Sequence, residues 1–335
     1  MHTDWFWTGN IEAMGTKIMT MPTFLIIGAM KGGTTTLYRL LDQHPEIYMS
    51  PVKEPNFYAY RNGRPKLGHP AGLPYPVWIV DTPDAAQHAM ELAVDAASFT
   101  TLPAYKRLWR DTSAPQRGEA SVLYLYLPHV AESIASMNPD MKLIAILRNP
   151  VDRAYSHFLM ARRMGREPIA SFAEAMEAEA SRLAQNYDPF WHYRSLGHYA
   201  TQLERYFKVF DRSQILILLN DDLRKDLGTQ YARLLHFLEV DASFKPGPKR
   251  EYGTGGQPKN TWLYRLATSP SSAKDWFKRV VPRQYQASIM NRLVLSKPEL
   301  EIELRQQLAR SYHDDITRLE ELIGRDLSGW KHGAP

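Results

Sequence analysis

A lysine, two glycines and three threonines in succession, Lys31-Gly32-Gly33-Thr34-Thr35-Thr36, form the strongest chemical signal in this chain. An apolar run, Phe24 to Ile27, precedes them, and an amphipathic stretch from Leu37 to Leu41 follows. Buried strand, glycine turn and helix start together make an anion cradle, in which main-chain N–H groups and the positive end of a helix face a phosphate or sulfate. Gly28-x-x-x-x-Gly33 keeps the spacing of a nucleotide P-loop, but position 34 is Thr rather than Lys. The lysine stands inside the loop, at 31. Gly32 and Gly33 let the main chain approach an anion without a Cβ in the way. Thr34, Thr35 and Thr36 add hydroxyl donors, although each serves equally well as a plain helix cap. Lys31 adds a positive charge to the cradle.

This loop resembles the 5′-phosphosulfate loop of sulfotransferases that use 3′-phosphoadenosine 5′-phosphosulfate (PAPS), in particular the heparan-sulfate-type and related bacterial enzymes. Further matches carry the resemblance from about residue 23 to residue 330. Leu147-Arg148-Asn149-Pro150-Val151-Asp152-Arg153-Ala154-Tyr155-Ser156 resembles the family's 3′-phosphate motif, which implies that Arg148 and Ser156 grip that group. An Arg fork suits phosphate oxygens. Read alone, Arg148 could instead pair with Asp152. Pro51-Val52-Lys53-Glu54-Pro55-Asn56-Phe57 resembles the Lys-Glu-Pro motif of glycan sulfotransferases, whose Glu is implicated as the acceptor base. That implies Glu54 as base, against the plainer reading of a Glu54–lysine pair that orients the loop. His69 and His157 are rival bases. Tyr252-Gly-Thr-Gly-Gly-Gln-Pro-Lys259 resembles a late loop that closes over the nucleotide, which adds Gly256 and Lys259 to the cofactor contacts. Gly118-Glu119-Ala120-Ser121 with Tyr124 matches another family segment and suggests Ser121 as a lining residue.

The resemblance implies PAPS as sulfuryl donor, no metal requirement, and a hydroxyl or amine acceptor on a glycan, lipid or small metabolite. In-line transfer would place Lys31 on the leaving group and Glu54 on the acceptor. One departure favours another enzyme class. The strand Ile215 to Leu219 ends in Asn220-Asp221-Asp222, and an ATP- or GTP-dependent P-loop kinase would use Asp221 for Mg²⁺. Thr34 and the displaced Lys31 weigh against that reading. A nucleotide-binding protein without catalysis would have little use for Lys31, Glu54 and Arg148 together.

Composition sets outer bounds. The chain has 335 residues, 44% hydrophobic and 23% charged, with a formal net charge of +5. Such a chain buries a large core. The mild positive balance suits a solvated surface or an electropositive cleft. There is no cysteine, which excludes disulfides, a thiolate nucleophile and Cys-ligated zinc. With no zinc finger, RNP-like strand or long basic run, nucleic acid is not an expected partner. No apolar run reaches the ~20 residues of a membrane span, and the first twenty residues lack the pattern of a secretion signal. Cytoplasm is the default location.

These residues need a frame. Apolar runs alternating with helical stretches predict an α/β fold: a P-loop-like open, mainly parallel sheet flanked by helices, in one domain. The domain should span 23–330, after an N-terminal extension over 1–22. Strands are expected at 24–27, 47–49, 142–147 and 215–219. Helices are expected at 34–43, 97–109, 151–163, 171–185, 197–210, 228–238 and 300–323. Residues 61–83, rich in Pro and Gly, should be irregular. Residues 60–110 and the Phe190–Arg194 cluster are candidates to line the acceptor.

Overall fold

The computed structural model describes residues 21–73, 77–247, 257–258, 295–296 and 299–332. Its strands are β1 (Phe24–Gly28), β2 (Ile47–Met49), β3 (Ile79–Val80), β4 (Ser98–Phe99), β5 (Gln116–Ala120), β6 (Lys142–Leu147), β7 (Ile215–Leu219), β8 (Gln257–Pro258) and β9 (Leu295–Ser296). Five form one parallel sheet in the order β2-β5-β1-β6-β7. β3 pairs with β4, and β8 with β9, in two small separate sheets. The fold is the expected mainly parallel, helix-flanked sheet in a single domain.

Alternation along β1 explains the layering. Phe24 and Ile26 face one side, with Ile144, Ile146 and Leu218, and there they meet the helices Thr34–Leu41 and Leu227–Leu238. Leu25 and Ile27 face the other side, with Leu143, Ala145 and Leu147, against the helix Pro150–Arg163 and the larger core. Period-two alternation thus gives each strand two buried faces. The chain passes from β1 outward to β2, returns to β5, then crosses to β6 on the far side of β1. The order reverses at β1, so a crevice opens at the carboxyl ends of β1 and β6, where open α/β sheets hold ligands.

Several expectations need correction. Residues 97–109 are not one helix: Ser98–Phe99 pairs with β3, and the helix runs Leu102–Arg107. Thr101 caps it by accepting the Ala104 N–H at 3.4 Å, and Pro103 starts it. The Thr82-Pro83 pair likewise opens a helix, Pro83–Glu91, at the last residue of the stretch 61–83 expected to be irregular. Thr before Pro is a readable start signal. The stretches 171–185 and 300–323 each break into two helices. Gly324 closes the last of these in a left-handed conformation, φ 64°. The expected extension, 1–22, lies outside the described residues but for its last two positions. Among the described residues, no helix is long and apolar enough to cross a membrane.

Candidate active site

The cradle joins β1 to the helix Thr34–Leu41. It crosses the end of β6, and the crossing is close: the Ala29 N–H donates to the Ile146 carbonyl at 2.9 Å. A Cβ on residue 32 would lie 2.2 Å from that same oxygen, so only glycine fits. Gly33 takes φ 123° and abuts the Asn220 amide, which donates to the Gly32 carbonyl at 2.7 Å. The first residue after β7 thereby ties the loop down. Among the described residues, the amides of Lys31, Gly33, Thr34 and Thr35 find no acceptor on the protein. Together with a helix start they form a concave donor set suited to an oxyanion. Thr34 is buried, while Thr35 and Thr36 are half-buried. No threonine side chain caps the helix, whose cap position is Gly33.

Lys31 adopts a left-handed conformation, φ 64°, unusual for a residue with a Cβ. Its ammonium crosses to the helix Pro150–Arg163 and meets the Met160 sulfur at 3.6 Å. Burial there lowers its pKa to about 8, with the charges of Arg163, Arg148 and Lys53 adding to the effect and Glu54 opposing it. The fold has therefore gathered four cations and one carboxylate from four separate segments. Such a charge cluster suits an anionic ligand.

Arg148 stands at the carboxyl end of β6, half-buried. Its expected partner Asp152 is engaged elsewhere, with Arg305 at 2.6 Å. Ser156 is half-buried in the body of the helix Pro150–Arg163, two turns from Arg148 rather than at the helix start. Asn149 caps that helix, accepting from the Val151 and Asp152 amides.

Glu54 lies after β2 and also has a left-handed backbone, φ 58°. Its N–H donates to the Ala120 carbonyl at 3.0 Å and its carbonyl accepts from Ala97 at 3.0 Å. Its carboxylate pairs with Lys53 at 2.7 Å, so the plainer reading of a lysine pair holds in this geometry. The pair remains part-exposed, at 14% and 19% of the side-chain surface. That leaves the carboxylate reachable from outside. The rival histidines stand differently. His157 is fully buried, edge-on to Phe190 and Tyr193, and burial with nearby Arg153 pushes its pKa well down. It cannot touch an acceptor. His69 is exposed and contacts the Pro70 carbonyl at 3.2 Å.

Other sequence readings are revised. Ser121 is fully buried and its hydroxyl donates a hydrogen bond to Glu119 at 2.6 Å, so it lines no pocket. Trp191 and Tyr193 also point inward, and Tyr193 bonds the buried Glu167–Arg182 pair. Phe190, Trp191 and Tyr193 are therefore core, while His192 of the same cluster lines a cavity with Tyr60, Tyr126, Tyr187 and Arg205. Asp221 accepts from the Trp330 indole at 3.3 Å and Asp222 pairs with Arg325 at 2.7 Å, so both carboxylates are engaged away from a metal role. Among the described residues, no cluster of metal-ligating side chains occurs. Gly256 and Lys259 lie outside the described residues. Arg163 was not legible as a site residue; no motif marks it, and only the packing of its helix brings its charge to bear on Lys31.

A P-loop-like parallel sheet with a lysine-bearing glycine cradle at its switch point defines a group transferase that handles an oxyanion. Residues 21–252 match the model of the sulfotransferase domain, and the chain belongs to that family. It is similar over 93% of its length to a crystallised sulfotransferase from Alicyclobacillus acidocaldarius, covering 99% of that chain at 30% identity with a TM-score of 0.68. Among curated proteins it is 26% identical over 265 residues to human carbohydrate sulfotransferase 15, covering 70% of this chain and 47% of that one. It is 27% identical over 323 residues to human bifunctional heparan sulfate N-deacetylase/N-sulfotransferase 3, covering 92% of this chain and 31% of that one. The chain thus spans less than half the length of these curated relatives.

Proposed function

We propose that this chain transfers the sulfuryl group of PAPS to a hydroxyl or amine of an acceptor, with a glycan as the first choice. The observation that supports the reading is that the charges of Arg148 and Glu54, from two other segments, both act on the Lys31 ammonium of the glycine loop. PAPS supplies an activated S–O bond to a phosphate leaving group. Gly32 and Gly33 admit its 5′ end against free amides, and Thr35 and Thr36 offer hydroxyls. Arg148 and Ser156 serve its 3′-phosphate. The Lys31 ammonium stabilises the phosphate oxygen as the bond to sulfur breaks. Glu54 takes the proton that the acceptor releases as its new bond to sulfur forms, and for that it must leave Lys53. The named glycan activities of the two human relatives favour a carbohydrate acceptor. The engaged Asp221 and Asp222 and the Thr at position 34 leave the kinase reading without support.

The experiment has two arms. Calorimetry with 3′-phosphoadenosine 5′-phosphate, in the presence of a chelator, should show tight binding, while ATP with Mg²⁺ should bind weakly. Radiolabelled PAPS is then offered with desulfated heparan, desulfated chondroitin and 4-nitrophenol. Label should enter a glycan, and Glu54→Gln should cut that rate by roughly 10²–10⁴-fold. Binding of ATP only with Mg²⁺, and none of the 3′-phosphorylated nucleotide, overturns the proposal.

A further inference from the structure

We infer that Glu119 is a positioning residue for Glu54, acting through hydroxyls that clamp the segment after it; the inference rests on Glu54 as the acceptor base. Glu119 lies in β5, second from the edge and next to β1, and is fully buried. Three hydroxyls converge on its carboxylate. Ser121 donates to Oε2 at 2.6 Å, and Tyr124 and Tyr105 donate to Oε1 at 2.6 Å and 3.0 Å. No cation pairs with it among the described contacts. Burial pushes its pKa up to about 7 although the three hydroxyls pull it down, and neighbouring Glu54 pushes it further up. An apolar side chain would fill this core position at less cost. Its chemistry therefore has a use.

In its ionised form, above a pH of about 7, the Glu119 carboxyl only accepts. Each hydroxyl that donates to it has its oxygen left as an acceptor toward its other neighbour. The Ser121 oxygen accepts the Asn56 N–H at 3.0 Å, and the Tyr124 oxygen accepts the Tyr58 N–H at 3.3 Å. Glu119 thus sets the direction of two hydrogen-bond chains. Both end on amides two and four residues beyond Glu54. Those amides open the short helix Phe57–Tyr60, which has no side-chain cap of its own. Glu54 and Asn56 both hold left-handed backbones, φ 58° and 52°. Such conformations persist only where the surroundings over-determine them. Here the end of β5 supplies the constraint twice, by the Ala120 carbonyl on the Glu54 N–H and by the Glu119 chains on the next turn. Asn56 completes it, its amide bridging the Glu54 and Ala97 carbonyls at 2.8 Å and 3.0 Å.

Glutamine at 119 keeps the shape but offers one oxygen and an NH₂ group. That NH₂ would donate into a hydroxyl oxygen, whose own proton then loses its acceptor at 119 and must turn away, loosening the hydroxyl's hold on the amide. The test compares Glu119→Gln, Ser121→Ala and Tyr105→Phe, the last removing a hydroxyl that holds no amide. Hydrogen exchange over peptides spanning 54–58, in protein loaded with 3′-phosphoadenosine 5′-phosphate, needs no acceptor. Exchange there should be about tenfold faster in Glu119→Gln and Ser121→Ala, and near parental in Tyr105→Phe. Cradle peptides over 29–37 and nucleotide affinity should stay within about twofold of the parent. Transfer to the labelled glycan should fall about 10–100-fold. Added to Glu54→Gln, Glu119→Gln should cost nothing more, because it acts through the group already removed. Unchanged exchange at 54–58, or a loss that multiplies with that of Glu54→Gln, overturns the inference. Parental transfer by Glu54→Gln, with faster exchange in Glu119→Gln, overturns the base reading and not the clamp. If Glu119→Gln does not fold, Ser121→Ala breaks one chain while Tyr105 and Tyr124 still hold the carboxylate, and the same two readouts decide.

Discussion

The affinity of 3′-phosphoadenosine 5′-phosphate should fall about tenfold as pH rises from 7 to 9. The perturbed group is Lys31, held near pKa 8 by burial and then by the charges of Arg163, Arg148 and Lys53. At pH 7 about nine in ten free molecules carry the ammonium, and at pH 9 about one in ten. A bound nucleotide phosphate, dianionic throughout this range, holds that ammonium charged. The bound state then carries more protons than the free state, so affinity falls with pH through the free pKa. The factor of about ten corresponds to about 1.4 kcal/mol. Calorimetry at pH 9 in buffers of different ionisation heat should show uptake of nearly one proton per nucleotide. Lys31→Met should bind more weakly at pH 7 and lose both the slope and the uptake. A flat affinity in the parent protein, or the same slope in Lys31→Met, refutes the placement of this lysine on the anion. Stability of the unliganded protein moves oppositely. A lysine whose folded pKa is depressed penalises the fold while charged, so this contribution should improve as pH climbs from about 8 towards its ordinary value.

Arg148→Ala should weaken the same nucleotide by about 1.5–3 kcal/mol, measured by calorimetry at pH 7, while unfolding midpoints change little. Gly32→Ala places a Cβ 2.2 Å from the Ile146 carbonyl oxygen, so the cradle must shift; nucleotide binding should be lost, and a melt should show a lowered Tm. Arg182→Ala strands the fully buried Glu167 carboxylate, which Arg182 holds at 2.8 Å and 2.9 Å. It should cost about 3–5 kcal/mol in urea unfolding, with nucleotide affinity in the surviving folded protein unchanged.

The sequence by itself determined the frame where hydrophobic pattern is local. β1, β2, β6 and β7 were legible as apolar runs, and the cradle as the glycine turn behind the first of them. β5 was not. Its residues, Gln116-Arg117-Gly118-Glu119-Ala120, have a polar strand's composition, yet it sits between β2 and β1. Gly118 is there because a Cβ would strike the Phe24 ring at 2.1 Å, and Glu119 because three hydroxyls from elsewhere satisfy it. Neither reason is visible along the chain. The candidate site divides the same way. The glycine loop pointed to Lys31, and the family resemblance of short motifs implied Glu54, Arg148 and Ser156, because such motifs are written in consecutive residues. Which charges share a field with Lys31, that Asp152 turns to Arg305, and that Ser121 faces inward were decided only by packing. Coulomb interactions and hydrogen bonds depend on distance through space, and β5 lies more than sixty residues from the Lys-Glu-Pro segment whose backbone it fixes.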